Sequence, residues 1–467
     1  MEPAATAEPP YTTDGLPVSG LRANILSPTE TLAQSISTIA PMTTPAMTIP
    51  LVFALAGNGA WLSYLCATSA ILLIALCISR FARTSSSSGS LYSYATSSLP
   101  PLASGVAGWA LLLAYIATGA SVAGGFINYA NVLLLQATGH QASTVMWAVV
   151  CVAVSTTIAY RDVQVSARLM LWIEAVSVLA IVVILILLVW KTGLHLDHSQ
   201  LSLTGVKPSS VRLGVVLAIF SFVGFESATA MGEEARNPLV TIPRAVVQSA
   251  LFCGLFFVVC VYLETLGMAR AHANLGESTA PFHVLAKLVG ASPFGAIIDV
   301  GALVSMFACT LGCITAAARV LLRMASNGIA HAALARTHAK NATPHVAVLV
   351  VGIVTGLAVG VLAARGISGL DIYGWLGPLA VYGFLTTYGL AAIALPFYLK
   401  AAGGLSKGAL ALSIGAVAAI LVALAGTLYP VPTERPYNWL PYFYLGYIVL
   451  GVCWQMWATR SSVQAVV

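Results

Sequence analysis

Long apolar runs recur along the whole chain and leave almost no choice of secondary structure. Windows of about 20 apolar residues mark twelve candidate spans, at 32–55, 61–80, 104–135, 144–160, 167–190, 211–231, 245–268, 293–326, 345–364, 373–399, 408–428 and 440–459. Inside a bilayer no water satisfies backbone N–H and C=O groups, so such runs must fold as internally bonded helices. Charged residues make up 8% of the chain, against about a quarter in soluble domains, which excludes a soluble globular fold. The expected fold is an all-α integral membrane protein with twelve transmembrane helices.

Charge orients these spans. With the amino terminus inside, 14 of the 21 basic residues fall in inner segments, among them Arg80, Arg161, Arg236, Arg319 and Lys400, and 7 fall outside. The positive-inside rule then places both termini in the cytoplasm and the protein in the cytoplasmic (inner) membrane. Orientation thus explains the net charge of +6, with membrane lipid as the surroundings and no nucleic-acid partner needed. The first twenty residues, with Pro9, Pro10 and Pro17, read as a disordered cytoplasmic tail rather than a cleavable signal. All eight cysteines fall in expected spans and none in an outer loop, so they read as packing residues. Cys309 and Cys313 lie one turn apart without a nearby histidine or carboxylate, and no metal site or cofactor is expected.

Two spans are interrupted. The first holds Pro41, Pro45 and Pro50, each removing a backbone donor and opposing helix in the residue before it. The sixth holds Ser221 to Glu226 with Gly224 at its centre, 183 residues after Pro41 and five spans later. Broken helices at matching places in two halves point to an inverted-repeat transporter, whose site lies between them. Glu226 is a carboxylate at membrane depth. Such a group costs roughly 3 kcal/mol on insertion scales and is kept for a partner, a cavity or a task. Three regions follow: the tail at 1–20, a ten-helix core at 21–400 with repeats near 21–200 and 205–400, and two further helices at 401–467.

A dense polar stretch follows the sixth span. Asn237-Pro238 should stop the helix, Thr241 can cap the next, and Pro243 should fall in its first turn. Glu233, Glu234, Arg236 and Arg244 are expected at the inner mouth, where charge pairs could open and close as a cytoplasmic gate. Gly352, Gly356 and Gly360 recur every four residues and should admit a neighbouring helix.

Phe222-Val223-Gly224-Phe225-Glu226-Ser227, followed by Gly232-Glu233-Glu234-Ala235-Arg236-Asn237-Pro238 and Ile242-Pro243-Arg244-Ala245, resembles the sixth-helix signature of the amino acid–polyamine–organocation (APC) superfamily. Gly89-Ser90-Leu91-Tyr92-Ser93-Tyr94 and Ala318-Arg319-Val320-Leu321 add to the resemblance, which covers nearly the whole chain. It implies a LeuT-like 5+5 inverted repeat with broken helices 1 and 6, two appended helices, and alternating access of a central site. It also implies that substrate is held at Pro41, Thr43, Thr44 and Pro45 on helix 1 and at Phe220, Val223 and Gly224 on helix 6, with Phe220 as an aromatic gate.

Two departures from the family pattern matter. Helix 1 carries Thr43-Thr44-Pro45 where relatives have a glycine-rich string, so one amide donor for a substrate carboxylate is missing. Either a threonine hydroxyl substitutes, or the substrate is an amine without that carboxylate. In span 5, Ser166-Ala167-Arg168 leads to Ser177, with Glu174 one turn earlier, where some proton-coupled relatives have a lysine. Thr315 could be one sodium ligand, but Ala316 follows it. Proton and sodium coupling both stay open, and Glu226 is the expected protonation switch.

A membrane-embedded enzyme would need paired histidines or carboxylates on facing helices. The eight histidines map to loops or span ends, and neither a nucleophile elbow nor a phosphate loop is present. The expected function is an amino acid permease, with amine transport or amino acid exchange as the alternatives. Glu226 as the one fixed charge in the expected lining argues against a dicationic substrate.

Overall fold

The computed structural model describes residues 21–161, 163–193, 196–278, 280–428 and 435–464. The expected tail at 1–20 lies outside the described residues. Sixteen α-helices run in order: α1 (Pro28–Ile39), α2 (Ile49–Ala56), α3 (Ala60–Ala82), α4 (Ser90–Thr96), α5 (Pro101–Thr138), α6 (Thr144–Arg161), α7 (Val163–Thr192), α8 (His198–Leu201), α9 (Pro208–Phe220), α10 (Pro238–Arg270), α11 (Pro281–Leu288), α12 (Ser292–Ser326), α13 (His345–Ala364), α14 (Gly369–Ala401), α15 (Lys407–Leu428) and α16 (Leu440–Gln464).

Among the described residues, eight helical stretches are long and apolar enough to cross a membrane, the first of them, Pro28–Ala82, holding the two expected spans nearest the amino terminus. In span 5, Val178–Lys191 is the apolar part of α7 that is fully described, and span 6 contributes the shorter apolar helix Pro208–Phe220. The centre of the bundle is α5, packed mainly on α14 and α12. In its most apolar stretch 89% of residues are buried, against 28% in α6 and α15, so α5 is the pillar and those two lie at the periphery.

The first break is built locally. Ser27 and Glu30 form a reciprocal capping box that starts α1. Ala40, in the left-handed region at φ 52°, ends it by donating back to Ile36, and Pro41 prevents continuation. The chain re-enters helix as a π-helical turn, Thr44–Thr48, before α2. Pro45 and Pro50 each sit at the start of a helical segment, where a missing donor is harmless.

The second break is sharper. After α9 the chain turns through 221–226 and resumes only as a short 3₁₀ segment, Ser227–Met231. Gly224 has φ +94°, and a Cβ there would run into the side chain of Thr38 on α1, so both conformation and contact require glycine.

The next helix begins earlier than expected. Pro238 occupies its first turn, Asn237 precedes it at φ 48°, and Thr241 donates back to the Arg236 carbonyl at 2.7 Å. Pro243 consequently lies inside α10 rather than at its start. Of the spaced glycines on α13, Gly352 faces Thr156 of α6 and Gly356 faces Val152, whereas Gly360 has open space.

Candidate functional site

The two breaks face each other across a cavity of about 10 Å³, room for roughly one water. It is lined by Thr38, Ile39, Ala40, Thr43 and Thr44 from the first break, Phe220, Ser221 and Val223 from the second, Thr118 and Val122 from α5, Cys309 from α12 and Tyr373 from α14. No carboxylate, ammonium or guanidinium is among them. Thr43 and Thr118 are buried, and neither hydroxyl has a hydrogen-bond partner among the described residues. An unmet buried polar group costs about 1–3 kcal/mol, so two converging on one cavity mark a place for a polar ligand.

Thr43, Thr44, Phe220 and Val223, named from the sequence, therefore meet at this cavity. Pro41, Pro45 and Gly224 do not line it; they shape the breaks. Sequence reasoning missed Thr118, Ser221, Cys309 and Tyr373, although a polar residue within an apolar span was a usable signal for the first two.

A second, apolar cavity of about 390 Å³ lies against α2, α9, α14 and α15, with Leu51, Leu217, Pro378 and Tyr437 in its wall. Phe220 and Tyr373 line both cavities. Their rings meet edge to face with centroids 5.6 Å apart, and the Tyr373 hydroxyl shares a 2.7 Å hydrogen bond with Thr48. These two rings are the partition between the cavities. Gly377 leaves room for the Phe220 ring, since a Cβ there would approach it to 2.8 Å.

Glu226 lies behind the second break, fully buried and outside the cavity lining. Tyr115 of α5 donates to one carboxylate oxygen at 2.7 Å and Tyr388 of α14 to the other at 2.6 Å. Hydrogen bonds to an ionised acceptor are the stronger kind, and a donor on each oxygen suits the carboxylate. Next to it, Ser227 donates to the Gln34 carbonyl and to the Thr38 hydroxyl, both at 3.0 Å, tying the second break to α1.

The opposite end is closed by polar contacts. Arg319 of α12 grips Glu234 with two bonds, Nε at 2.5 Å and Nη2 at 2.9 Å, both side chains buried. The Glu234 carbonyl accepts from the amides of Ile25 and Leu26, each at 2.9 Å. Glu233 accepts from the amide and hydroxyl of Ser88 at 3.2 and 3.0 Å. Arg236 is exposed and donates to the Asn24 carbonyl at 3.0 Å, and Arg244 is exposed. Glu234 thus pairs with Arg319, which the sequence offered as an inner basic residue and as part of a family motif but not as a gate residue. The Thr315 hydroxyl has no hydrogen-bond partner among the described residues, while its carbonyl accepts from Arg319 at 3.1 Å. Glu174 and Ser177 fall on α7, and their side chains lie outside the described residues.

A bundle of apolar helices with two broken helices meeting at a closed polar cavity is the architecture of a membrane carrier. The chain belongs to the amino acid permease family, whose model matches residues 31–461. It is similar to the methylthioribose transporter of Bacillus subtilis, 26% identical, with 73% of this chain and 73% of that one covered. A branched-chain amino acid permease of the same organism is also 26% identical, covering 65% of this chain and 67% of the relative. Among solved structures, the manganese transporter of Eremococcus coleocola shares the fold at a TM-score of 0.51 with 14% identity, covering 93% and 94% of the two chains. The expected LeuT-like class thus holds, and the chain is a multi-pass membrane transporter rather than an enzyme.

Proposed function

We propose that this protein carries amino acids with uncharged side chains across the cytoplasmic membrane by alternating access, with both termini in the cytoplasm. The observation that carries the reading is the pair of unpartnered hydroxyls, Thr43 and Thr118, converging on a cavity with no charged side chain. They offer hydrogen bonds to a small zwitterion without demanding net charge from it. The hydroxyl of Thr43 would supply the carboxylate contact that Pro45, lacking an N–H, cannot. A free cationic amine fits less well, because both oxygens of the adjacent carboxylate, Glu226, are already engaged by tyrosines. A branched-chain amino acid permease among the relatives agrees with an apolar side chain, for which the vestibule beyond Phe220 offers a path. The halves near 21–200 and 205–400 would rock about this point, with Phe220 and the Glu233–Glu234 region acting as opposite gates.

Uptake of labelled amino acids into proteoliposomes, with thermal shift as a binding readout, tests the reading. Thr43→Val and Thr118→Val should each weaken binding of a neutral amino acid about tenfold, the loss of one good hydrogen bond at roughly 1.4 kcal/mol. The corresponding decarboxylated amine should be affected less by Thr43→Val. Tight binding of diamines with none of neutral amino acids would reject the proposal in favour of amine transport.

A further inference from the structure

One buried carboxylate plays no part in the site described above. Glu264 on α10 is fully buried, and neither of its oxygens has a hydrogen-bond partner among the described residues. Its electrostatic neighbours are Tyr64 on α3, Tyr129 on α5 and Cys260 one turn back on its own helix. Among the described side chains, the other charged groups on elements packed against α10 are engaged or exposed. Lys191 of α7 donates to the Leu288 carbonyl, and His283 of α11 faces Asp299. Glu277 accepts from Asn274, and Glu30 caps the far end of α1. Lys287, Arg80, Arg244 and Arg270 are exposed.

An ionised carboxylate at membrane depth with neither donor nor cation costs several kcal/mol. The neutral acid avoids most of that cost. Hard cations gather several oxygen ligands, whereas Glu264 has no hydrogen-bond partner among the described residues. A proton is therefore the fitting ligand.

Both tyrosine neighbours lead to the breaks. The Tyr64 hydroxyl shares a 3.0 Å hydrogen bond with Ser221, a lining residue of the central cavity. The Tyr129 hydroxyl donates to the Ala46 carbonyl, inside the π-helical turn, at 3.3 Å.

We propose that Glu264 is a proton-binding site, protonated in this closed conformation and releasing its proton when the broken helices part and water reaches it. Resting on the transport reading, this makes Glu264 the coupling group that links proton movement to the cycle. The structural contrast with Glu226 supports the division: one buried carboxylate has a donor on each oxygen, the other has none among the described residues.

Two measurements on the full-length protein in lipid test it. Infrared difference spectra between acid and alkaline buffer should contain a protonated-carboxyl band that Glu264→Gln removes and Glu264→Asp retains. In proteoliposomes, wild-type uptake of a neutral amino acid should change roughly tenfold between about pH 5 and 8, and that of Glu264→Gln by less than about twofold. Its substrate affinity should be unchanged. An unaltered band in Glu264→Gln, a variant with full wild-type pH dependence, or uptake that follows sodium and ignores pH would each overturn the proposal. If no amino acid were taken up at all, the transport reading would fail, and the infrared band would still decide the proton site.

Discussion

On the side of Glu234, the central cavity is closed by a buried two-bond ion pair, backbone bonds from Ile25 and Leu26, and Ser88 on Glu233. On the side of Phe220, it is closed by two aromatic rings in edge contact, with an apolar cavity of about 390 Å³ already open beyond them. The first closure is directional and several layers thick, so it can separate only if several polar groups find water together. The second is one layer of rings and asks for little more than a rotation and the loss of the Tyr373–Thr48 bond. The structure is thus sealed at the end expected to be cytoplasmic and thinly closed at the other. The aromatic partition should yield first.

Breaking the thick closure should give the largest effect. Arg319→Ala leaves Glu234 as an uncompensated buried charge, which costs about 3–5 kcal/mol. The expected outcome is a large drop in thermal stability and loss of transport. Pairing Arg319→Gln with Glu234→Gln removes both charges and should restore part of the stability, as measured by unfolding in detergent. A double variant no more stable than Arg319→Ala would mean that the pair is not coupled as the geometry indicates.

Thinning the other closure should cost less. Phe220 borders open space on two sides, so Phe220→Ala should destabilise by about 3 kcal/mol or less, the low end for a large aromatic truncation. Bound amino acid should escape faster towards the vestibule, seen as a faster dissociation rate in a protein that still folds. Normal retention would show that Tyr373 alone forms the partition.

The broken helices were legible because proline and glycine act on their own backbone, and Gly224 does adopt φ +94°. Glu226 stood out because its carboxylate sits in the glycine-centred break of the sixth span. Its partners were not readable, since Tyr115 and Tyr388 lie 111 and 162 residues away and meet it only through helix packing. Glu264 was absorbed into the seventh span for the same reason: whether a buried acid has a donor depends on facing helices. The inner charge pair was placed in the right region with the wrong emphasis. Arg236 and Arg244 are near Glu234 in sequence but exposed, whereas Arg319 arrives from α12. Pro243 was placed one turn too early because Pro238 had taken the helix start.

The smallest effect should come from Glu226→Gln, and it separates the two buried acids. The amide keeps one acceptor for a tyrosine donor, and the other tyrosine can rotate its hydroxyl to accept from the amide N–H. What is lost is the charge on the acceptor, worth about 1–2 kcal/mol given that bonds to charged groups contribute roughly 1.5–3 and neutral ones about 1. The protein should fold, bind a neutral amino acid, and transport it more slowly, because Glu226 anchors the second break to α5 and α14. Its pH dependence should match that of wild type if Glu264 carries the proton. Tyr388→Phe is the control: it removes the side-chain donor from one oxygen of a buried carboxylate, so it should destabilise at least as much as Glu226→Gln although it removes a single hydroxyl. A flat pH profile in Glu226→Gln, with a normal profile in Glu264→Gln, would exchange the roles of the two acids and return the protonation switch to the broken helix.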